Sequence, residues 1–333
     1  MKKITSVLLI SVLAASALFA NGVKEESVSG EKVYKIGISK FVAHPALDAI
    51  EQGIMDELNE MGLSYEFDLQ NCNAEISTGV SIANIFKDGN KDLVIGIATP
   101  PAQALAVAFN NTDTPVEFAA ITDPLSAGFM DEGLSNIFGI SDRNPIELQL
   151  DTFIDLASIE TLGMIYSGNE SNGVAIFERA QQYCIDNGIE LVAVSVSNSA
   201  EVKTAMLSIA SRVDGIYIGN DNTVVSAIAS VDQVCTDYDL PLFNSDTTSS
   251  ENTNFLMSFG LDYYKVGRIS GNAAYKVLTG TSPNEIGTVF LDDITQFNFI
   301  LNLDRAEELN IEISPELLAK ASFIVQDGSM IEN

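Results

Sequence analysis

The stretch Asp92 to Phe109, DLVIGIATPPAQALAVAF, limits the fold more than any other. Leu93 to Ala98 is a continuous apolar run, which reads as a strand covered on both faces of a parallel sheet. Ala102 to Phe109 carries apolar residues at helical spacing. Thr99, Pro100 and Pro101 lie between them. Thr99 is a residue type that caps helices and proline is tolerated in a first helical turn, so the spacing predicts a helix start just beyond the carboxyl end of the strand. Unpaired N–H groups at such a point hold anionic ligand groups, although a helix cap with no ligand needs the same residues.

The strand-then-helix pattern recurs along the chain. Val33 to Ser39, Ser64 to Leu69, Val116 to Ile121 and Asn136 to Ser141 read as further strands, with helices over Pro45 to Met61 and Glu75 to Phe86. The pattern restarts near Asp142 to Pro145. A second series follows, with strands Thr161 to Tyr166, Glu190 to Ser195, Gly215 to Gly219 and Leu240 to Phe243 separated by helices, one of them Thr223 to Val234. Such alternation specifies an α/β protein with doubly wound parallel sheets, and 333 residues suffice for two such lobes.

Composition removes several kinds of function. Forty-six acidic against seventeen basic residues give a formal charge of −29 with no basic stripe, so nucleic acid and anionic membrane surfaces are poor partners. The chain has one histidine and three cysteines without metal-ligand spacing, which disfavours metal sites and Ser-His or Cys-His catalysis. Cys184 and Cys235 fall in helical patterns and read as buried thiols; Cys72 falls in a loop. Lys2-Lys3, the apolar run Ile4 to Phe19 and the small residues around Ala20 form a secretory signal over residues 1–20, followed by a polar leader over 21–32. The first cysteine lies far beyond this segment, so the expected product is exported, periplasmic or extracellular, and not a lipoprotein.

Ligands of doubly wound sheets sit beyond the carboxyl ends of the strands. There the chain places Thr99-Pro100, Thr122-Asp123, Glu170-Ser171, Asn198, Asp221-Asn222 and Asp246. Each turn alone is explained by helix capping, so the functional case rests on the set. Helix starts after Thr99 and Ser171 suit a carboxylate, while Asp221, Asp123 or Asp246 suit an ammonium. Phe41 and Tyr166 fall where strands meet the cleft and are read either as ordinary core or as flat apolar walls for a ligand, with Thr122, Asn198 and Asn222 orienting it. Acid–base catalysis by Asp123, Asp221 or Asp246 is the weaker alternative, because no nucleophile, base and orienting group occur together.

The stretches IGISKFVAHPALDAIEQGI, LVIGIATPPAQAL, AAITDPLSAG, GIYIGNDNTVVSA and FGLDYYKVGRISG resemble, in order and spacing, the substrate-binding subunits of ABC importers whose better-known members bind tryptophan and other aromatic amino acids. The resemblance implies a type I periplasmic binding protein fold, with two lobes joined by a three-strand hinge. It places residues 33–142 plus 254–284 in the first lobe and 143–253 plus 285–333 in the second. It also implies an ABC permease as partner, no cofactor and no catalysis, and an amino acid ligand, aromatic or, as the runner-up, branched aliphatic. A ligand-binding subunit for a membrane sensor or chemoreceptor has the same fold. His44-Pro45 resembles the family's helix start, where a structural role for His44 is expected.

Overall fold

The computed structural model describes residues 32–130, 134–249, 253–293 and 296–333. The signal segment and nearly all of the leader lie outside these residues. The compact unit Val33–Asn333 opens with β1 (Val33–Lys40), α1 (Pro45–Glu60), β2 (Ser64–Asn71), α2 (Ile76–Asp88), β3 (Leu93–Ile97), α3 (Thr99–Ala108), β4 (Val116–Ala119) and β5 (Ile137–Ser141). The second series runs α4 (Ile146–Ala157), β6 (Thr161–Ser167), α5 (Ser171–Asn187), β7 (Glu190–Val196), α6 (Val202–Ile209), β8 (Gly215–Ile218), α7 (Asn222–Val225), α8 (Ile228–Asp237), β9 (Leu242–Asn244) and β10 (Met257–Leu261). The chain closes with α9 (Tyr263–Leu278), α10 (Pro283–Ile286), β11 (Thr288–Phe290), β12 (Phe297–Asn302), α11 (Leu303–Glu308), α12 (Pro315–Leu318), β13 (Phe323–Gln326) and β14 (Ser329–Glu332).

Two sheets result, and their order explains the buried runs. The first is six-stranded, β11-β5-β4-β3-β1-β2, with every neighbour parallel. β3, β4 and β5 are buried at every position because helices cover both faces. The second sheet is eight-stranded, β14-β13-β12-β10-β9-β8-β6-β7; its β7 to β10 side is parallel, while β12 and β14 are antiparallel to β10 and β13 respectively.

The late part of the chain departs from the expected lobe boundaries. The strand expected to return to the first lobe, β10, lies in the second sheet between β9 and β12, and β11, expected in the second, pairs with β5 in the first. Of the strand and helix expected to return together, α9 alone packs on the first lobe, against α1. Both strands are short, and their periodicity is the same in either sheet; partner choice is a long-range matter that local sequence does not encode. The chain thus passes between sheets after β5, after β10 and between β11 and β12. The helix expected over Thr223 to Val234 is broken at Ser226–Ala227, where the Ser226 hydroxyl donates back to Thr223 O at 2.8 Å after a run of β-branched residues.

α1 and α9 meet at glycines. A Cβ on Gly267 would strike the backbone at Ile50, and one on Gly53 the carbonyl of Tyr264, so the two backbones approach as only glycine permits. Arg268 on α9 then reaches Glu57 on α1 at 2.6 Å. Beneath them Glu117 of β4 is fully buried, its Oε1 accepting from Ser270 Oγ of α9 at 2.5 Å while Oε2 has no partner. Burial pushes this carboxyl well above its usual 4.5, against the weaker pull of the Ser270 bond.

Two outcomes are expected. Gly267→Ala should destabilise the protein by about 1–3 kcal/mol in denaturant unfolding, although alanine is the better helix former by about 1 kcal/mol. An unchanged midpoint would mean that the helices part without cost. For Glu117 the folded pKa lies above the unfolded one, so the folded state binds the extra proton and stability falls as pH rises past the unfolded glutamate range. Glu117→Gln should therefore gain about 1–2 kcal/mol over the natural chain near about pH 8, with the gain shrinking toward about pH 4. A pH-independent difference would contradict the buried neutral carboxyl.

Candidate ligand-binding cleft

The carboxyl ends of the parallel strands of both sheets converge on one cleft. From the first lobe come His44 and Leu47 at the start of α1, Thr99 at the start of α3, and Ala120 and Thr122 after β4. From the second come Asn172 of α5, Asn220 to Asn222 after β8, and Asp246 after β9. Asp142 and Tyr263 enter from the two crossings that follow β5 and β10. The lobes are closed: about 20 Å³ remains for the centre of a water-sized sphere.

Asp142 is the centre of the polar network. Its Oδ1 accepts from Thr122 Oγ1 at 3.2 Å, and its Oδ2 from Tyr263 OH at 3.0 Å and Asn220 Nδ2 at 3.1 Å. Asn220 Nδ2 also donates to Tyr263 OH at 2.6 Å, and its Oδ1 accepts from Ser245 Oγ at 2.5 Å. Burial raises the Asp142 pKa, opposed by the bonds from Tyr263, Thr122 and Asn220.

An acidic pair shapes the second-lobe wall, with Asp221 in the lining and Glu170 behind it. Glu170 accepts from Asn222 Nδ2 at 2.6 Å and from the N–H and hydroxyl of Thr223 at 3.0 and 2.6 Å. Asp221 accepts from Ser167 N at 2.5 Å and, as cap of α7, from Val224 N at 3.1 Å. Burial first, and for Asp221 the neighbouring negative charge of Glu170 second, drive both carboxyls upward, so the pair is held short of full ionisation. Across the cleft, His44 Nδ1 lies 4.0 Å from Asp246 Oδ2, and neither buried ring nitrogen makes a hydrogen bond. Burial depresses the imidazole pKa, opposed by the Asp246 charge, which leaves the ring neutral near pH 7.

Of the residues expected here, Thr99, Thr122, Asp221, Asn222 and Asp246 line the cleft. Thr99 does so differently than expected: it is the first residue of α3 and not its cap. Ala98 takes the cap position at φ 75°, ψ 164°, a conformation that otherwise belongs to glycine. Since Pro100 and Pro101 carry no N–H, the start of this helix offers the cleft a single backbone donor, that of Thr99, and Pro100 itself does not line it.

The others are engaged elsewhere. Phe41 is buried in the first-lobe core, and Tyr166 stacks on Phe177 at 4.3 Å instead of facing the cleft. The Asp123 carboxylate is taken up by Leu125 N, Ser126 N and Ser126 Oγ within its own turn. Asn198 is exposed and caps a short 3-10 turn through Ala200 N, Glu170 lies behind Asn222, and Ser171 does not reach the lining. Conversely, the sequence assigns His44 a structural role and gives Asp142, Asn172 and Asn220, though they lie in polar strand-end turns, and Tyr263 no ligand role. Asp142 and Asn220 stand at strand ends, where position alone was a signal; Tyr263 carried none, because the sheet that β10 joins was not legible.

Comparison with known proteins agrees with this geometry. The family described as ABC transporter substrate binding protein matches residues 35–325. A tyrosine-binding protein of Clostridioides difficile (strain R20291) is 32% identical over 328 residues, covering 93% of each chain. Among solved structures, an ABC domain from Streptococcus pneumonia in complex with L-Trp is 30% identical with a TM-score of 0.82, covering 88% of this chain and all of that one. The ligand-free, open structure of a substrate-binding protein with adhesive properties from Clostridium difficile is also 30% identical, covering 85% of this chain and 96% of its own, but has a TM-score of 0.61. At equal identity the closed cleft described above accords with the greater likeness to the L-Trp complex. With two lobes meeting strand end to strand end over a polar cleft, and a family match spanning nearly all of the described fold, the chain belongs to the ABC transporter substrate-binding proteins.

Proposed function

We propose that the protein captures an aromatic amino acid outside the cytoplasm by closing its two lobes, and delivers it to an ABC permease. The observation that carries this reading is a closed cleft with carboxylates on one side and a helix start with hydroxyls on the other. Asp246 and Asp221 line it from the second lobe, while Thr99 at the start of α3 and Thr122, whose hydroxyl donates to Asp142, line it from the first. That polarity suits a zwitterion, ammonium toward the second-lobe acids and carboxylate toward the start of α3. Tyrosine and tryptophan, the ligands named for two relatives, carry such a head group on a flat apolar body. The neutral His44 ring, buried without a hydrogen-bond partner, offers a further polar contact whose burial a ligand would repay.

Asp246 is the proposed ammonium acceptor, because both oxygens of Asp221 already serve backbone N–H groups of β6 and α7. The lobe division in this reading follows the sheets, with α9 in the first lobe and β10 in the second. The three crossings between sheets, near Ser141, Leu261 and Phe290 to Phe297, form the hinge, and the ligand favours closure because it touches both lobes. The mature chain starts near Asn21, after removal of the signal segment.

Calorimetric titration with tyrosine, tryptophan, phenylalanine and leucine should show binding of the aromatic amino acids and a weaker or absent response to leucine. Asp246→Asn should weaken binding by about 2–5 kcal/mol, whereas Asp221→Ala should chiefly lower stability by about 1–2 kcal/mol through the lost cap. Silence with all four amino acids would sink the ligand assignment, and unaltered affinity in Asp246→Asn would remove its role.

Closure has a separate readout. The closed cleft leaves only about 20 Å³, so the lobes must part to load an aromatic amino acid and then close around it less tightly than here. Small-angle scattering should give a smaller radius of gyration at saturating tyrosine than without it. Identical curves would mean a rigid cleft and would overturn capture by closure.

A further inference from the structure

A second cavity, much larger than the closed cleft, is a groove of about 740 Å³ on the second lobe that shares no lining residue with it. β10 and β12 pair antiparallel, with Phe259 opposite Phe299, and their alternation turns Met257, Phe259, Phe297 and Phe299 to one face. Phe259 meets Phe297 at 5.6 Å and Phe299 at 5.7 Å, the latter edge to face, forming an aromatic floor. α4 flanks this floor with Leu148 and Leu156, and the segment around α12 flanks it with Leu317. The volume falls in the range of small-ligand pockets, about 300–1,000 Å³.

The rim is one-sided in charge. Asp151 and Asp155 stand on the α4 side and Glu312 and Glu316 on the other, against the single cation Lys320. All four carboxylates are exposed, and Asp151 is oriented by a hydrogen bond from Tyr183 OH. An apolar body laid on three phenylalanines with a positive head at the carboxylates satisfies both parts, and aromatic faces themselves attract a cation. An anionic amphiphile meets four like charges on a chain of formal charge −29. A second copy of the chain would set one acidic rim against another.

We propose that this groove is a second binding site, for a small amphiphilic cation such as an alkyl or aryl amine, separate from the amino acid cleft. The probes are decyltrimethylammonium and decanoate, which share a chain length and differ in charge, titrated calorimetrically below their micelle concentrations. One cation per protein should bind, at least about tenfold more tightly than decanoate and less so as salt is raised. Excess tyrosine should not displace it. The double substitution Glu312→Lys, Glu316→Lys, at exposed positions that leave the unfolding midpoint unchanged, should weaken cation binding about tenfold or more. Phe299→Ser reports on the floor and should abolish binding wherever the variant remains folded by circular dichroism.

Decanoate binding as tightly as the cation, several cations adsorbing per chain, or full affinity in the double variant would each overturn the proposal. Displacement by tyrosine would place the probe in the cleft and overturn it as well. A dimer that dissociates on the double substitution would assign the groove to a second copy instead.

Discussion

The carboxylate of Asp142 holds the point at which the chain leaves one sheet for the other. It is buried and takes hydrogen bonds from Thr122 of the first lobe, Asn220 of the second and Tyr263 of the second crossing. Removing a carboxylate from water is costly unless its lone pairs are filled, and here donors on both sides of the crossing fill them in the closed arrangement.

The same economy governs the other acids. With 46 acidic side chains, the protein cannot keep every carboxylate on its surface near a site built from strand ends. Glu170 and Asp221 are placed where backbone N–H groups, Asn222 and Thr223 serve them, and their mutual repulsion is relieved by incomplete ionisation. Glu117, outside the cleft lining, is tolerated through one hydroxyl of α9 and a raised pKa. Acidic residues thus do three jobs: they solvate the surface, set the hinge and shape the second-lobe wall.

The general fold was legible because it rests on local patterns. Continuous apolar runs such as Leu93 to Ile97 announce strands buried on two faces, and helical periodicity announces the covering layers. Thr99, Thr122, Asp221, Asn222 and Asp246 were legible as cleft residues for the related reason that strand ends in such sheets point at ligands. Phe41 and Tyr166 were misplaced because the direction of an aromatic ring at a strand end depends on the nearest apolar surface. For Phe41 that is the first-lobe core, and for Tyr166 it is Phe177 in the second turn of α5.

The sequence by itself determined the alternation of strands and helices, the division into two like halves, and the family resemblance. Tertiary structure alone decided that β10 joins the second sheet and β11 the first, that Ala98 and not Thr99 takes the cap position of α3, and that Asp142, Asn220 and Tyr263 meet in one network. The physical reason is range. Periodicity and capping act over a few neighbouring residues, while strand pairing and the filling of a buried carboxylate join residues as far apart as Asp142 and Tyr263, whose proximity no local pattern carries.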